Sequence, residues 1–210
     1  MRLEKKDIEK LDRHYRLNLI NSVPGVKPAN LVGTRSLNKE DNLAIISSVV
    51  HLSSNPAHLG LVMRPPGKRP KDTYINILET GSYTINHVSQ EFYKQAHYTS
   101  AKLERELSEF DVMNIEREFL KGFHAPFVRK SPIKIGMKHL ENIPLPNGCI
   151  FVVGEVALID FPEASTNAQG QIDLSSYDCV GISGLNTYYS LKKIDTLPYV
   201  RTNEIPNFDE

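Results

Sequence analysis

The chain has 210 residues, a length that favours one domain with short extensions. Its 40% hydrophobic and 24% charged residues are typical of a globular chain that buries a sizeable core. Lysine plus arginine and aspartate plus glutamate each number 25, so the formal net charge is zero, and nonspecific binding to a nucleic-acid backbone is disfavoured.

The N-terminal 22 residues predict a helical arm. Apolar residues recur there at spacings of three and four, as along one face of an amphipathic helix: Ile8, Leu11, Tyr15 and Leu19. We expect this arm to pack on the domain or on a partner chain. Pro24, Gly25 and Pro28 then separate it from the elements that follow.

Apolar runs in the next sixty residues mostly predict strands. The run LAIISSVVHL at 43–52 is rich in β-branched residues and nearly all apolar, so it predicts one continuous strand covered on both faces. Shorter strands are predicted at 30–35, 59–63 and 83–88. A helix is predicted at 72–80, with Asp72 or Thr73 as its cap and Gly81 at its end.

Helical segments are predicted from Ser89 to about residue 107, and the chain is extended again from 132 to 143. The longest predicted strand covers 149–161, and an apolar segment covers 180–191. Strands outnumber helices and lie on both sides of a helical insert. The pattern therefore predicts a mainly β protein with helical insertions (α+β), a β-barrel rather than alternating βαβ units.

Several classes of protein and site are disfavoured. No apolar run approaches the roughly 18 to 20 residues that cross a bilayer, and the first ten residues are charged, so we expect a cytoplasmic protein without a membrane partner. Cys149 and Cys179 are too few for a disulfide framework or a thiolate zinc site. The seven histidines lack metal-site spacing, so we expect no metal.

Two serines interrupt the predicted strand at 43–52. Ser47 and Ser48 are adjacent and would point to opposite faces. A buried hydroxyl without a partner costs roughly 1–3 kcal/mol, so each must be satisfied by backbone, water or a ligand. We expect one hydroxyl to contact a ligand and the other to bond within the barrel. Ser48 is the favoured ligand contact because Ala44 and Ile46 share its face.

A run of cations precedes the predicted helix at 72–80. Arg64, Lys68, Arg69 and Lys71 lead into a first turn that carries Thr73. The N-terminus of a helix offers unpaired backbone N–H groups and a partial positive charge. The run therefore predicts either a solvated loop or a clamp for the phosphate of a cofactor.

These elements occur in the order and spacing of a known family. The segments that carry the resemblance are YRLNLI at 15–20, NLAIISS at 42–48, Asn55-Pro56, Arg64-Pro65, DTY at 72–74, GSYTIN at 81–86, QAH at 95–97, SEF at 108–110, VGEV at 153–156 and the Gly–Tyr segment at 184–188. Together they resemble the flavin reductase-like family, the FMN-binding split-barrel group that includes flavoredoxin. The resemblance covers residues 15–191.

The resemblance implies an antiparallel split β-barrel that forms a homodimer and holds FMN near the subunit boundary. It implies that a hydride moves from NADH or NADPH to the flavin, which carries the chemistry. The implied domains are a helical arm at 1–22, an FMN-binding split barrel at 23–195 and a C-terminal tail at 196–210. No catalytic residue is expected from the protein itself.

The resemblance also assigns residues to the cofactor site. Ser47, Ser48 and Val49 would line the FMN, and Thr34 and Asn42 would hold strand ends or ring edges. Arg64, Lys71 and Thr73 would bind the phosphate and ribityl chain. His97 and Ser100 belong to the helical segment that packs over the site in relatives, and Tyr188 would flank the ring.

Three functions are compatible with these residues. The first is an NAD(P)H:flavin oxidoreductase. The second is an FMN-binding electron carrier without rapid NAD(P)H oxidation. This chain has Gly148 and Cys149 where many members carry a histidine associated with nicotinamide handling, a departure that bears on fast NAD(P)H oxidation and not on FMN binding. The first function is the one we expect. The third is a split-barrel protein that binds another ligand, such as haem or a deazaflavin.

Overall fold

The computed structural model describes residues 1–65, 67, 71–120 and 122–208. The α-helices in this part of the chain are α1 (Lys5–Lys10), α2 (Arg13–Ser22), α3 (Asp72–Thr80), α4 (Tyr93–Tyr98) and α5 (Glu109–Val112). Short 3-10 helices cover Glu163–Ser165, Leu174–Tyr177 and Thr202–Glu204. No helix in the described ranges is both long enough and apolar enough to cross a membrane.

Twelve strands lie in the described ranges. They are β1 (Lys27–Pro28), β2 (Asn30–Arg35), β3 (Asp41–Ile46), β4 (Val50–Ser54), β5 (Ala57–Met63), β6 (Ser82–His87), β7 (Arg117–Glu118), β8 (Phe127–Val128), β9 (Lys134–Pro144), β10 (Ile150–Asp160), β11 (Val180–Ser183) and β12 (Thr187–Ser190). The predicted helix at 72–80 has the observed bounds, although Lys71 rather than Asp72 or Thr73 is its N-cap.

Among the described residues, seven strands form one antiparallel sheet in the order β3-β2-β6-β9-β10-β5-β4. Strands β3 and β4 lie at opposite edges of this sheet, yet only residues 47–49 separate them along the chain. The sheet must therefore curl until its two edges nearly meet. This is the antiparallel split barrel that the sequence led us to expect, and that prediction is confirmed.

The predicted single strand at 43–52 is wrong. The chain leaves β3 after Ile46 and enters β4 at Val50, so residues 47–49 form a link between the two edges of the sheet. Strand β4 is also largely exposed rather than covered on both faces. A continuous apolar run does not reveal such a break, because the residues on both sides of it keep the composition of a strand.

Two apolar clusters lie on the two faces of the curled sheet. The interior cluster includes Val32, Tyr83 and Val152, with Ile46 and Val49 packed against it. The outer cluster contains Leu31 and Leu43 under helices α4 and α5. Neighbouring residues of a strand thus serve opposite clusters, as the pleat requires.

The smaller sheets extend the outer face. Strands β1, β11 and β12 form one sheet, and β7 pairs with β8. The outer cluster includes Val180 and Ile182 of β11, with Tyr188 of β12 packed against it. The small sheet therefore brings Tyr188 to the side of the barrel on which α4 lies.

Candidate functional site

Strand β3 organises the predicted site. On one side it pairs with β2, and helices α3, α4 and α5 all pack against it. The backbone N–H of Leu43 donates to Oε2 of Glu109 at 2.9 Å, so this N–H points away from β2. Backbone groups alternate in direction along an antiparallel strand, so the N–H of Ile45 points to the same side. We call this outward-pointing backbone of β3 the β3 edge.

Hydrogen bonds of Ser48 connect the link at 47–49 to strand β5. Its hydroxyl donates to the carbonyl oxygen of Val62 at 3.1 Å and accepts from the N–H of Val62 at 3.0 Å. The β4–β5 register pairs Val50 with Gly60, so its continuation brings Ser48 opposite Val62. The side chain therefore replaces the hydrogen bonds that a backbone residue of β4 would make with β5, and the chain turns toward β3.

Ser47 and Val49 flank Ser48 in different surroundings. Val49 packs against the interior cluster, so its backbone rather than its side chain is left to meet a ligand. The Ser47 hydroxyl has no hydrogen-bond partner among the described residues, and the residue is partly exposed. The expectation that the Ser48 hydroxyl contacts the ligand is therefore wrong, because this hydroxyl bonds within the barrel. The hydroxyl without a partner among the described residues belongs to Ser47.

A polar network joins β2, β3 and α3 at the start of β3. The amide nitrogen of Asn42 donates to Oγ1 of Thr73 at 2.8 Å and to Oγ1 of Thr34 at 3.3 Å. Thr34 also accepts from the amide nitrogen of Asn76 at 3.1 Å. Thr34, Thr73 and Asn76 are buried, so these bonds fix the first turn of α3 against the barrel.

One acceptor in this network is left over. The amide oxygen of Asn76 is buried and has no donor among the described residues. An unpaired buried acceptor costs free energy unless a donor reaches it. Asn76 lies three positions after Thr73, on the same face of α3.

The predicted phosphate residues lie at the two ends of the segment that joins β5 to α3. Arg64 directly follows β5, two residues after Val62 and so within about 7 Å of it along the chain. Lys71 is the N-cap of α3 and is exposed. Neither cation forms an ion pair within the described part of the chain, whereas Lys68 and Arg69 lie outside it.

Helix α4 brings His97 into contact with Tyr188. Nδ1 of His97 lies 3.1 Å from Oη of Tyr188, and the two rings meet edge to face at a centroid distance of 5.7 Å. Tyr93, one turn earlier on α4, also packs on Tyr188, with ring centroids 5.3 Å apart. Burial raises the pKa of Tyr188 to about 12, so its phenol stays protonated at neutral pH and can donate to Nδ1. Ser100 is exposed, and its N–H donates to the carbonyl of His97.

Glu109 is the residue that sequence reasoning missed. It sits in α5 and is buried, and its carboxylate holds the N–H of Leu43. Burial raises the pKa of Glu109, and the negative charge of Asp72 acts in the same direction. The available signal was a glutamate between Ser108 and the buried Phe110, a position where a charge needs a partner.

Ion pairs fix the segment after α4 beside this site. Asp41, at the start of β3, accepts from Arg35 at 2.6 Å and from Arg117 at 2.7 Å. Arg105 lies 3.2 Å from Glu40 and 3.6 Å from Asp72 of α3. Arg105 thus ties the segment between α4 and α5 to Glu40 and to α3, and Arg117 ties β7 to β3.

The predicted site residues thus fall into three groups around one strand. Thr34, Asn42, Thr73 and Lys71 lie at the start of β3, and Ser47, Ser48, Val49 and Arg64 lie near its end. His97, Ser100 and Tyr188 lie on the side covered by α4. The first two groups are separated by the length of β3, about 16 Å for five residues.

Comparisons with known proteins agree with the fold. The Flavin reductase like domain matches residues 26–173. A candidate flavin reductase with a split barrel domain from Shewanella frigidimarina is 42% identical, with a TM-score of 0.91 over 95% of this chain and 100% of that chain. Nitrilotriacetate monooxygenase component B from Bacillus cereus is 17% identical, with a TM-score of 0.81 over 94% of this chain and 98% of that chain. Flavoredoxin from Desulfovibrio vulgaris is 20% identical, with a TM-score of 0.72 over 83% of this chain and 91% of that chain.

Proposed function

Because the chain belongs to the flavin reductase like family, we propose that it is an FMN-binding oxidoreductase that accepts a hydride from NADH or NADPH. One observation carries the proposal: strand β3 holds a polar network at its start, an unpaired serine hydroxyl beyond its end and the outward-pointing backbone N–H of Ile45 between them. FMN is a long molecule with a phosphate at one end and a hydrogen-bonding ring at the other, so one strand can serve both ends.

The residues present fit this cofactor. Bound FMN would supply the two-electron chemistry, and the protein would bind and orient it. Lys71, a cation without a partner in the described chain, would hold the phosphate at the start of β3, and the leftover amide oxygen of Asn76 would accept from a ribityl hydroxyl. Arg64 lies near the other end of β3 and would face the ring. Ser47 and the β3 edge would bind the polar edge of the ring.

His97 and Tyr188 would close the site from the side of α4. A phenol that donates to Nδ1 leaves Nε2 as the protonated nitrogen of a neutral imidazole, so His97 would present a hydrogen-bond donor. Tyr188 would hold this orientation through its packing on Tyr93. Ser100 would contribute through the backbone bond that links it to His97.

We further propose that the protein is a homodimer and that its compartment is the cytoplasm, as expected from the sequence. Homodimers with a two-fold axis are the commonest soluble oligomers. Light scattering tests the first point: the expected mass is twice 23.7 kDa. A stable monomer at micromolar concentration contradicts it.

The absorbance spectrum of the purified protein, followed by anaerobic titration with NADH and NADPH, tests the proposed activity. We expect flavin bands near about 370 and 450 nm that bleach on addition of at least one nicotinamide. A protein that binds FMN but is bleached by neither nicotinamide is an electron carrier instead. A protein that does not bind added FMN overturns the cofactor assignment.

A further inference from the structure

The C-terminal arm, which we define as residues 192–208, carries apolar side chains that nothing in the described chain covers. Every residue of this arm is exposed. Its large apolar side chains are between 54 and 98% exposed: Ile194, Leu197, Tyr199, Val200, Ile205 and Phe208. A tail that stays in water is ordinarily poor in such residues. The arm therefore has the composition of a segment that packs on a partner.

Helix α2 presents a second uncovered apolar surface. Neither α1 nor α2, both wholly within the described residues, contains a buried residue. Tyr15, Ile20 and Val23 are exposed by 53, 46 and 67%. At 3.6 residues per turn these three side chains fall within an arc of about 140° around the helix. We call this arc the α2 face; Arg16 lies within it.

The end of the arm and the N-terminal segment carry opposite charges, while residues 192–208 as a whole contain three basic and two acidic residues. Residues 1–16 contain six basic and four acidic residues, a net of two positive charges. Residues 203–210 contain three acidic residues and no basic one: Glu204, Asp209 and Glu210. The end of the arm thus combines apolar and acidic side chains, and the α2 face combines apolar side chains with one basic residue, Arg16.

The arm is long enough to reach another molecule. Seventeen extended residues span about 56 Å, whereas a compact chain of this length has a radius of gyration of about 17 Å. The arm also begins near its own α2, because Leu191 and Val26 both flank Gly181. It nevertheless leaves that helix uncovered.

We propose that the C-terminal arm of one protomer packs on the α2 face of a second copy of this chain. Exchange about a two-fold axis makes two equal contacts, in which Ile205 and Phe208 of each arm cover Ile20 and Val23 of the other protomer. The proposal adds the contact surface to the homodimer proposed above and is independent of flavin binding.

A complementation experiment tests the exchange. The arm variant is Ile205→Ser with Phe208→Ser, and the helix variant is Ile20→Ser with Val23→Ser, both in the full chain. Each variant alone lacks both contacts, and we expect its dimer dissociation constant, measured by sedimentation, to rise at least tenfold, or about 1.4 kcal/mol. A heterodimer of the two keeps one intact contact, so an equimolar mixture should form heterodimers more tightly than either homodimer.

The control is Leu37→Ser, which removes an equally exposed leucine between β2 and β3 and should leave the dissociation constant unchanged. Thermal melting and FMN absorbance verify that each variant is folded. Unchanged dimerisation in both variants overturns the exchange and leaves the dimer standing. If both variants dimerise weakly and their mixture forms no tighter heterodimer, each arm packs on the helix of its own protomer. That result also overturns the exchange. A monomeric parent protein overturns both the exchange and the dimer, while FMN absorbance reports separately on the proposed function.

Discussion

Ser47 and Ser48 are adjacent serines in different surroundings. We therefore expect one to affect ligand binding and the other to affect stability. The Ser48 hydroxyl makes two bonds to the backbone of Val62, whereas the Ser47 hydroxyl has no partner among the described residues. Chemically similar neighbours can therefore be told apart only by their surroundings.

Replacing each serine by alanine should produce opposite effects. For Ser48→Ala we expect the free energy of unfolding to fall by about 1–3 kcal/mol, because the polar backbone groups of Val62 lose their partner. For Ser47→Ala we expect an unchanged melting temperature and weaker FMN binding. Urea unfolding and fluorescence titration with FMN measure the two quantities. Equal effects of both substitutions on FMN affinity would falsify the division of roles.

Glu109 links stability to pH through a buried carboxylate. Its pKa is raised above the ordinary 4.5, chiefly by burial. A raised pKa in the folded state contributes stability that is fully present below pH 4.5 and is lost as the pH rises through the raised value. At neutral pH the ionised carboxylate is therefore the costly form.

We expect Glu109→Gln to gain stability relative to the parent protein as the pH rises from about 4 to 7, because the amide oxygen still accepts from Leu43 and no charge is buried. Glu109→Ala should lose about 1–3 kcal/mol at both pH values, because the N–H of Leu43 is left unpaired. Urea unfolding at the two pH values provides the comparison. A Gln variant whose stability difference from the parent protein does not depend on pH contradicts the argument.

At the scale of elements, helix α3 connects the barrel to the proposed phosphate site. Asn42 bonds Thr73 in its first turn, and Lys71 is its N-cap. The helix therefore presents its N-terminal backbone and one cation from a position fixed by the network.

Lys71→Gln should weaken FMN binding by about tenfold to a hundredfold while leaving riboflavin binding nearly unchanged, because only FMN carries the phosphate. Arg64→Gln should weaken both flavins alike, because Arg64 lies near the end of β3, where the ring is placed. Lys102→Gln, which removes another exposed lysine, serves as the control. Calorimetric titration with both flavins gives the ratio. If Lys71→Gln affects the two flavins equally, Lys71 does not contact the phosphate.

The elements also show what the sequence could predict. Helix α3 was predictable to the residue, because Gly81 ends it and its apolar face is periodic. The break at 47–49 was not, because a serine that replaces a ladder bond looks like any serine within a strand. Glu109 and Leu43 are 66 residues apart, so no local pattern reveals their bond. Tyr188 lies beyond the matched family domain, and its contact with His97 spans 91 residues.

At the scale of the whole molecule, the interior of the barrel depends on a close contact between a tyrosine and a glycine. Tyr83 is fully buried, and its hydroxyl has no hydrogen-bond partner among the described residues. A Cβ at Gly154 would lie 2.2 Å from this hydroxyl and 3.0 Å from the carbonyl oxygen of Lys138. The side chain of Tyr83 can therefore extend over β9 to β10 only because residue 154 is glycine.

Gly154→Ala should lower the free energy of unfolding by about 1–3 kcal/mol, as expected when atoms are forced into a packed core. Tyr83→Phe alone should be close to neutral, because the hydroxyl makes no hydrogen bond. The double variant should recover part of the loss, since the closest atom is removed. A double-mutant cycle from urea unfolding measures this coupling. Strict additivity of the two substitutions contradicts a direct contact.

The short link at 47–49 has a consequence for how the barrel assembles. Joining chain segments costs loop-closure entropy that grows with the logarithm of their separation. The pairing of Ser82 with Lys138 closes a loop of 56 residues, whereas three residues separate the two edges of the sheet. By that scaling, bringing together the ends of the three-residue link costs about 2.6 kcal/mol less in loop-closure entropy than closing the 56-residue loop. The two edges are thus held together even in the unfolded chain, and the slow steps of folding belong to the distant pairings of β6 with β9 and of β5 with β10.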